Sequence, residues 1–265
     1  MKALILPIWN YRGFIVGSVK REFQSKYRNS MLGAAWTVLN PLAMIVVYTL
    51  IFSQIMKARL PGIDSTFAYS IYLCAGILAW GLFAEIVGRG QTVFLENANL
   101  LKKLSFPRIC LPIITVLNAG LNFAIIATLF IGFLIVSGNF PGLVSLAAIP
   151  VLIVQVAFAI GLGMVLGVLN VFFRDVGQFF GIFLQFWFWL TPIVYPANIL
   201  PEPIGKHLML WNPMAPIIEA YQTIFVNGQS PEWGTLLIPS LSGIVLCMLG
   251  MRLFRKRAGE IVDEL

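Results

Sequence analysis

Charged residues are scarce in this sequence, and acidic residues are the scarcest of them. Charged residues make up 11% of the 265 residues, with 11 aspartates and glutamates against 18 lysines and arginines. A soluble domain carries about 25% charged residues, so this composition excludes an ordinary soluble globular protein. Hydrophobic residues reach 59%, in runs longer than the roughly 20 residues that carry a helix across a bilayer. We therefore predict an integral membrane protein.

Residues and motifs that carry chemistry are also few. There is one histidine, His207, and the three cysteines fall in or beside apolar segments, where they suit packing. The sequence contains no Gly-x-x-x-x-Gly-Lys-Ser/Thr phosphate loop, no His-Glu-x-x-His pair and no Gly-x-Ser-x-Gly elbow. The aspartates are isolated from one another, which argues against a metal-dependent glycosyltransferase. We predict no catalytic residue, no metal site and no cofactor in this chain.

Long apolar segments predict an all-α fold with six transmembrane helices in a single domain, 1–265. The predicted bounds are 33–56, 68–88, 110–136, 143–172, 177–195 and 235–254. Only Arg174 and Asp175 separate the fourth segment from the fifth. They suffice as a boundary, because a charge at mid-bilayer costs at least about 2.5 kcal/mol.

The basic residues predict how these helices are oriented. Six spans place both termini on one side, and 15 of the 18 lysines and arginines fall on that side. By the positive-inside rule, both termini and the loop after the second span lie in the cytoplasm. Topology and anionic lipid then explain the net charge of +7, so nucleic-acid binding is not predicted.

Residues 10–30 differ from the spans because charged and apolar residues alternate there. The apolar ones recur at helical spacing: Phe14, Ile15, Val19, Phe23 and Tyr27. This pattern predicts an amphipathic helix lying in the cytoplasmic interface. The alternative is a simple charged flank to the first span.

A polar island at 96–106 separates the second and third spans. Three-residue spacing of apolar residues predicts a short amphipathic helix, at Ala98, Leu101 and Leu104. Asn97 or Asn99 can cap its start, and Pro107 ends it. The island is either a rigid handle for a cytosolic partner or a solvated loop whose positive charge serves topology.

The fifth segment has the densest aromatic content in the chain. A thinner line runs through it at helical spacing, formed by Gln178, Gly181, Gln185 and Trp189. One interpretation is that phenylalanines face lipid while glutamines bond a neighbouring helix. The other is a path for a sugar polymer, because pyranose rings can slide along aromatic faces. The residues assigned to that path are Trp36, Tyr48, Phe183, Gln185, Trp187 and Trp189.

Ionisable residues within the spans are Glu85 and Arg89, near the cytoplasmic end of the second span. Four residues apart on one helix, they are expected to pair with each other. A proton-coupled transporter usually places its ionisable groups nearer the midplane. We therefore expect that this chain does not power transport itself.

The segment 196–233 is too rich in proline for a plain helix and too apolar for a solvated loop. Short helical pieces that dip into the outer leaflet fit this composition, since irregular backbone at that depth needs shielding by protein or water. We predict a re-entrant periplasmic segment that forms a channel mouth or gate.

Five motifs occur in order over some 200 residues of the chain. They are Tyr27–Trp36 followed by Asn40-Pro41, Asn97–Arg108, Phe173–Val176, Thr191–Pro196 and Trp211–Tyr221. Each is weak alone, but in register they are specific. The chain resembles the membrane subunits of ABC-2 type exporters of bacterial surface polysaccharides, the O-antigen and capsule permeases.

That resemblance implies a channel of two copies in the bacterial inner membrane. Each copy would bind a separate cytosolic ATPase subunit, which supplies the ATP and magnesium chemistry. The interface helix would be 10–30, the coupling helix 96–106 and the periplasmic gate 196–233. The implied substrate is a glycan on undecaprenyl diphosphate, O-antigen first, moved from cytosol to periplasm.

Site residues follow from this assignment. The predicted ATPase contacts are Asn97, Asn99, Leu100, Leu101, Lys102, Lys103 and Leu104. The predicted diphosphate contacts at the cytoplasmic mouth are Lys20, Lys26 and Arg28, for which positive-inside charge is the alternative. The predicted gate residues are Pro192, Tyr195, Pro196, Trp211, Pro213, Glu219 and Tyr221.

Other functions stay open at this point. Within the family, the substrate can be a capsule polysaccharide or teichoic acid. From other classes, a membrane-embedded glycosyltransferase or ligase would act without an ATPase, although the sequence offers no catalytic acid for it. A secondary transporter would respond to the proton gradient.

Overall fold

The computed structural model describes residues 9–26, 32–55, 66–103, 106–197, 201–257 and 259–264, and these residues form helices and connecting turns with no strand. The first helices are α1 Arg12–Lys26, α2 Trp36–Tyr48, α3 Ala68–Glu96, α4 Ala98–Lys103 and α5 Cys110–Val136. The later ones are α6 Ala148–Phe172, α7 Asp175–Leu190, α8 Glu202–Trp211, α9 Met214–Gln222, α10 Leu237–Arg257 and α11 Glu260–Glu264. The all-α prediction is confirmed.

Among the described residues, four helical segments are long and apolar enough to cross a membrane. They are Ala68–Glu96, Cys110–Val136, Gly142–Phe172 and Trp233–Arg257. These segments match the predicted second, third, fourth and sixth spans. Within the described residues, the region of the predicted first span holds a shorter apolar helix, Trp36–Phe52, in which the backbone changes from α-helical to π-helical at Thr49.

The predicted fifth span is also shorter than expected. Helix α7 has 16 residues and ends at Leu190, which gives it a length of roughly 24 Å. Thr191 is extended, with φ −98° and ψ 135°. This break has a local cause, because the residue before a proline, here Pro192, is disfavoured in the helical region.

Helix α3 lies at the centre of the bundle and packs on α5, α6 and α9. Glycines let its neighbours approach closely: a Cβ on Gly167 of α6 would overlap the carbonyl oxygen of Gly90 on α3. The crossing of α6 with α10 is equally tight, since a Cβ on Gly161 would lie 2.6 Å from the backbone nitrogen of Cys247. Small residues at crossings are the usual basis of helix packing in lipid.

Buried apolar side chains form two main clusters along α3. The larger one surrounds Phe83 and Trp187. The smaller one, called the α4 cluster below, gathers around the end of α3 and reaches α4, α6, α10 and α11. Its buried members are Val93, Phe94, Leu101, Ile109, Leu111, Met164, Val168, Val171, Phe254 and Ile261.

Helix α3 continues well past the predicted end of its span at residue 88. It runs to Glu96, which adds about 12 Å of helix at 1.5 Å per residue. Helix α4 follows after one residue and begins at Ala98 rather than at the predicted 96, and its last described residue is Lys103. The polar island is therefore held at the tip of a long buried helix.

Candidate functional site

Asn97 joins α3 to α4. Its side-chain amide donates a hydrogen bond of 2.8 Å to the carbonyl oxygen of Val93, in the last turn of α3. Its backbone carbonyl accepts hydrogen bonds from the N–H groups of Leu100 and Leu101. The predicted cap is thereby corrected: the Asn97 side chain closes α3, and Asn99 lies inside α4, because α3 extends further than hydropathy indicated.

Helix α4 turns one side towards its own chain. Leu101 is 8% exposed and packs in the α4 cluster. Asn99 and Lys102 are exposed, while Leu100 is half-buried. Leu101 therefore anchors α4 to the bundle, which corrects its assignment to a partner surface, whereas Asn99 and Lys102 are free for such a contact. Leu104 and the Lys103 side chain lie outside the described residues.

Helix α1 packs against the start of α5. Ile15 is buried beside Cys110 and Ile114, and the rings of Phe14 and Phe106 lie 5.0 Å apart between centroids. Of the apolar residues predicted to share one face of a helix, Phe14, Ile15 and Val19 thus face the bundle, whereas Tyr27 lies outside the described residues. Lys20 is exposed, while the Lys26 side chain and Arg28 lie outside the described part of the chain.

Glu22 ties α1 to α3 and α5. Its carboxylate pairs with the guanidinium of Arg89 and accepts a hydrogen bond from the side-chain amide of Asn118. The predicted pairing of Glu85 with Arg89 is also present, at 3.6 Å between Oε1 and Nη1. Asn122 donates a 2.9 Å hydrogen bond to Glu85. Arg89 lies near the cytoplasmic end of the predicted second span, and its charge is tolerated there because it is paired in this way.

Glu22 was not among the predicted site residues, although a signal existed. Glu22 is the one acidic residue within 10–30, and an isolated acid among bases at a membrane interface indicates a specific cationic partner. Which arginine or lysine it pairs with depends on how α1 lies across α3, and that is a tertiary feature.

A polar cavity of about 400 Å³ lies between α1, α3, α4 and α5. Its charged lining residues are Arg21, Glu22, Arg89 and Glu96. The two cations and two anions leave this cavity close to neutral. Of the predicted diphosphate contacts, Lys20 is not among its lining residues, and Arg21 occupies the cavity wall instead, since consecutive helical residues point in different directions.

Helix α7 has two distinct faces. Trp187 is buried against Trp80, Phe83 and Phe158, with ring centroids 5.2–6.4 Å apart. Phe183, Gln185 and Trp189 are exposed, as are further apolar side chains on that side: Phe179, Ile182, Phe186 and Leu190. The structure therefore buries Trp187 in the core, where its ring still contacts that of Phe183 at 5.3 Å between centroids, while Gln185 and Trp189 lie on the exposed face.

The two path residues assigned to the first span lie on α2. Trp36 begins the helix and is exposed, whereas Tyr48 ends it and is half-buried. Tyr48 lines an apolar groove of about 230 Å³ between α2, α3 and α5, together with Glu85. Within the described residues, its ring contacts Phe52 rather than an aromatic of α7.

Asn212 connects the end of α7 to the helices that follow. Its Oδ1 accepts hydrogen bonds of 2.8 Å from Trp187 Nε1 and 3.0 Å from the backbone N–H of Met214. Its Nδ2 donates a 3.0 Å hydrogen bond to Thr191 Oγ1. Of the neighbouring residues predicted for the gate, Trp211 is exposed and Pro213 is the residue before α9.

Residues 191–196, which follow α7, are fixed by side chains that bond their backbone. The hydroxyl of Tyr69 donates to the carbonyl oxygen of Val194 at 2.7 Å. The hydroxyl of Tyr72 lies 3.1 Å from the carbonyl oxygen of Pro192 and 2.9 Å from that of Tyr195. Pro192 and Tyr195 thus contribute backbone carbonyls that accept these hydrogen bonds. Pro196 is half-buried beside them.

Helix α9 carries the last two predicted gate residues on opposite sides. Tyr221 is buried, and within the described residues its hydroxyl has no hydrogen-bond partner. Glu219 is exposed. Desolvation and the nearby Glu232 carboxylate raise the pKa of Glu219 above its ordinary value. Glu219 therefore lies on the exposed side of α9, while the Tyr221 side chain packs inside the bundle.

Comparison with known proteins places these features in a family. The profile of the ABC-2 type transporter family matches residues 15–226. The O-antigen export system permease protein RfbA of Klebsiella pneumoniae is 31% identical over 243 residues, covering 91% of each chain. Its namesake from Myxococcus xanthus is 29% identical over 266 residues, covering 100% of both. The polysialic acid transport protein KpsM of Escherichia coli is 21% identical over 238 residues, 89% of this chain and 90% of that one.

Proposed function

The chain belongs to the ABC-2 type transporter family, and from this premise we propose that it is the permease subunit of an ATP-driven exporter of undecaprenyl-diphosphate-linked polysaccharide. O-antigen is the preferred substrate, because full-length relatives near 30% identity are O-antigen export permeases. The relative named for polysialic acid is more distant, at 21%, so a capsule polysaccharide is the second candidate. The chain is a transporter subunit rather than an enzyme, and a separate subunit hydrolyses ATP.

The observation that carries the proposal is the placement of α4. An ATP-driven transporter without its own phosphate loop needs an external motor, and the motor needs a firm contact. Helix α4 offers one, since Leu101 anchors it in the bundle while Asn99 and Lys102 remain exposed. In the proposed complex, those two residues contact the ATPase subunit from the cytosol.

Helix α3 is the element proposed to transmit the motion. Its 29 residues span roughly 43 Å. At one end, Tyr69 and Tyr72 bond the residues that follow α7, and at the other end Glu96 lies beside α4. Closure of two ATPase subunits would displace α4, and α3 would carry that displacement to residues 191–196. The ATPase can drive this change only if it binds the two conformations with different affinity.

The proposed substrate path follows the exposed face of α7. Two copies of the chain would face each other there, so that Phe183, Gln185 and Trp189 line the space between them. Aromatic faces contact sugar rings over a broad apolar area without fixing them through directional hydrogen bonds. The positive charges of Lys20 and Arg21, at the cytoplasmic membrane interface, would attract the diphosphate as the glycan enters.

The proposed topology keeps six crossings and places both termini in the cytoplasm of a bacterial inner membrane. In this proposal, α2 with its π-helical continuation forms the first crossing. Helix α7 and residues 191–197 form the fifth. Helices α8 and α9 are the re-entrant part of the periplasmic gate, and their irregular connections are shielded by α3 and α7.

The test is export by purified components. The chain and its ATPase subunit are co-expressed, reconstituted into vesicles with the ATPase outside, and supplied with lipid-linked O-antigen. We expect the glycan to become protected inside the vesicles when ATP is added, and not with a non-hydrolysable analogue. Export that needs no ATPase, or that follows an imposed proton gradient, would contradict the proposal.

A further inference from the structure

Helix α11 is short but firmly seated. It spans Glu260–Glu264 and lies against α4 and α6. Ile261 has no exposed surface and belongs to the α4 cluster with Leu101 and Val171. A helix of five residues is too short to be stable by itself, so a fully buried isoleucine here indicates a specific packing role.

Arg257 fixes the turn that brings α11 back onto the bundle. Its guanidinium pairs with the carboxylate of Glu260 and lies 5.5 Å from the ring centroid of Phe172. One turn earlier, Phe254 stacks on Phe94 at 5.7 Å between ring centroids. The end of α10 is thus bound to both α3 and α6 before α11 begins.

Helix α4 needs such support, because an isolated helix of six residues is far too short to be stable in water. Among its described side chains, Leu101 alone is buried. The position of α4 therefore depends on the walls of the cluster that receives Leu101. Helices α3 and α6 supply two of those walls, and α11 supplies Ile261.

We infer that α11 is a brace that positions α4 for its partner subunit. Ile261 is a positioning residue: it acts through Leu101 and does not itself touch the partner. The inference rests on the proposed function, which assigns the partner contact to α4, and adds to it a role for α11. Release of α11 leaves the bundle folded but lets α4 change its angle, so that the ATPase no longer fits.

The test uses the full chain co-expressed with its ATPase subunit. Ile261→Ala is compared with Leu134→Ala, which removes the same number of carbons from an equally buried site on α5, far from α4. We measure the thermal unfolding temperature of the permease and the amount of ATPase retained per permease after detergent extraction. Both variants should unfold earlier, but only Ile261→Ala should lose ATPase, by about tenfold for 1.4 kcal/mol of weakened binding.

Two further variants distinguish a brace from a helix that contacts the ATPase directly. Ile261→Val keeps most of the buried volume and should restore retention towards the unmodified level. Glu264→Ala alters an exposed residue of α11 and should leave retention unchanged. Loss of ATPase with Glu264→Ala would show direct contact by α11, and equal retention in Ile261→Ala and Leu134→Ala would show no positioning role. Either result overturns the brace.

The unmodified chain distinguishes failure of the brace from failure of the proposed function. If that chain retains no ATPase, the proposed function fails and the brace fails with it. If the unmodified chain retains ATPase and the Ile261 variants do not differ from their controls, the proposed function stands and only the brace is overturned.

Discussion

The two ends of helix α3 are held in different ways. At the α4 end, apolar side chains such as Phe94 and Leu101 pack together, and Arg89 pairs with carboxylates. At the other end, the hydroxyls of Tyr69 and Tyr72 bond backbone carbonyls of the residues after α7. One end is held by apolar packing together with ion pairs, and the other by neutral hydrogen bonds.

This difference suits the two proposed roles of α3. Apolar burial is non-directional, so α4 and the end of α3 can shift together while Leu101 stays covered. A hydrogen bond weakens steeply when its angle departs from linear, so residues 191–196 are held in one position until several bonds break together. A docking end that moves with its partner and a gate end that switches follow from the same helix.

The largest expected effect comes from the two tryptophans at the gate end of α7. Trp187→Ala removes a buried ring and the donor to Asn212, and should cost about 3–5 kcal/mol of the free energy of unfolding. Trp189→Ala alters an exposed ring and should change stability by less than about 0.5 kcal/mol while reducing export. Thermal unfolding and vesicle export measure the two effects, and equal stability losses would contradict the two-faced description of α7.

The second prediction concerns the docking end. Leu101→Ala leaves a cavity in the α4 cluster and should cost about 2–5 kcal/mol of unfolding free energy. Lys102→Ala is its exposed control, expected to keep stability within about 0.5 kcal/mol but to weaken ATPase retention. If Leu101→Ala left the unfolding temperature unchanged, Leu101 would not anchor α4.

The third prediction tests the hydrogen bonds at the gate end. Tyr72→Phe leaves the carbonyls of Pro192 and Tyr195 without this donor, and should cost about 1–3 kcal/mol. Tyr221→Phe is the matched control, because the Tyr221 hydroxyl has no partner among the described residues, so its removal should be neutral or stabilising. Unfolding temperature checks both, and protease access to residues 191–196 should rise only with Tyr72→Phe.

The smallest expected effect is a pH dependence at the gate. The pKa of Glu219 is raised above 4.5 in the folded chain by desolvation and by Glu232. Its contribution to stability is therefore complete below 4.5 and is lost as the pH rises through the folded value. Glu219→Gln should reduce the fall in unfolding temperature between acidic and neutral buffer, and Glu232→Gln should reproduce part of that reduction. No change with Glu219→Gln would contradict the raised pKa.

Most of the fold could be predicted, but the bounds of several segments could not. Spans with long apolar runs, such as those ending at Val136 and Phe172, were found because twenty apolar residues allow few alternatives in lipid. Helix α7 ends earlier than hydropathy indicated, because the geometry before Pro192 outweighs the apolar residues that follow. Helix α3 runs past residue 88 because packing by Val93 and Phe94 outweighs the polar residues around them.

The candidate site was predicted less completely than the fold. The sequence located the polar island and the aromatic segment, but it placed Leu101 and Trp187 on functional surfaces although both are buried. Asn212, Tyr69 and Tyr72 were missed because their role is to bond backbone groups far along the chain. No local pattern reports which carbonyl a tyrosine hydroxyl reaches.

By itself, the sequence determined the membrane class, the helical fold and the place of the polar island. These depend on composition and on the length of the apolar runs, which decide whether a segment is stable in the bilayer. Only the tertiary structure decided which face of each helix turns inward, that Glu22 pairs with Arg89, and that Ile261 closes the cluster beneath α4. The reason is that lipid tails are as apolar as a protein core, so hydrophobicity does not distinguish a side chain that faces lipid from one that faces its neighbours.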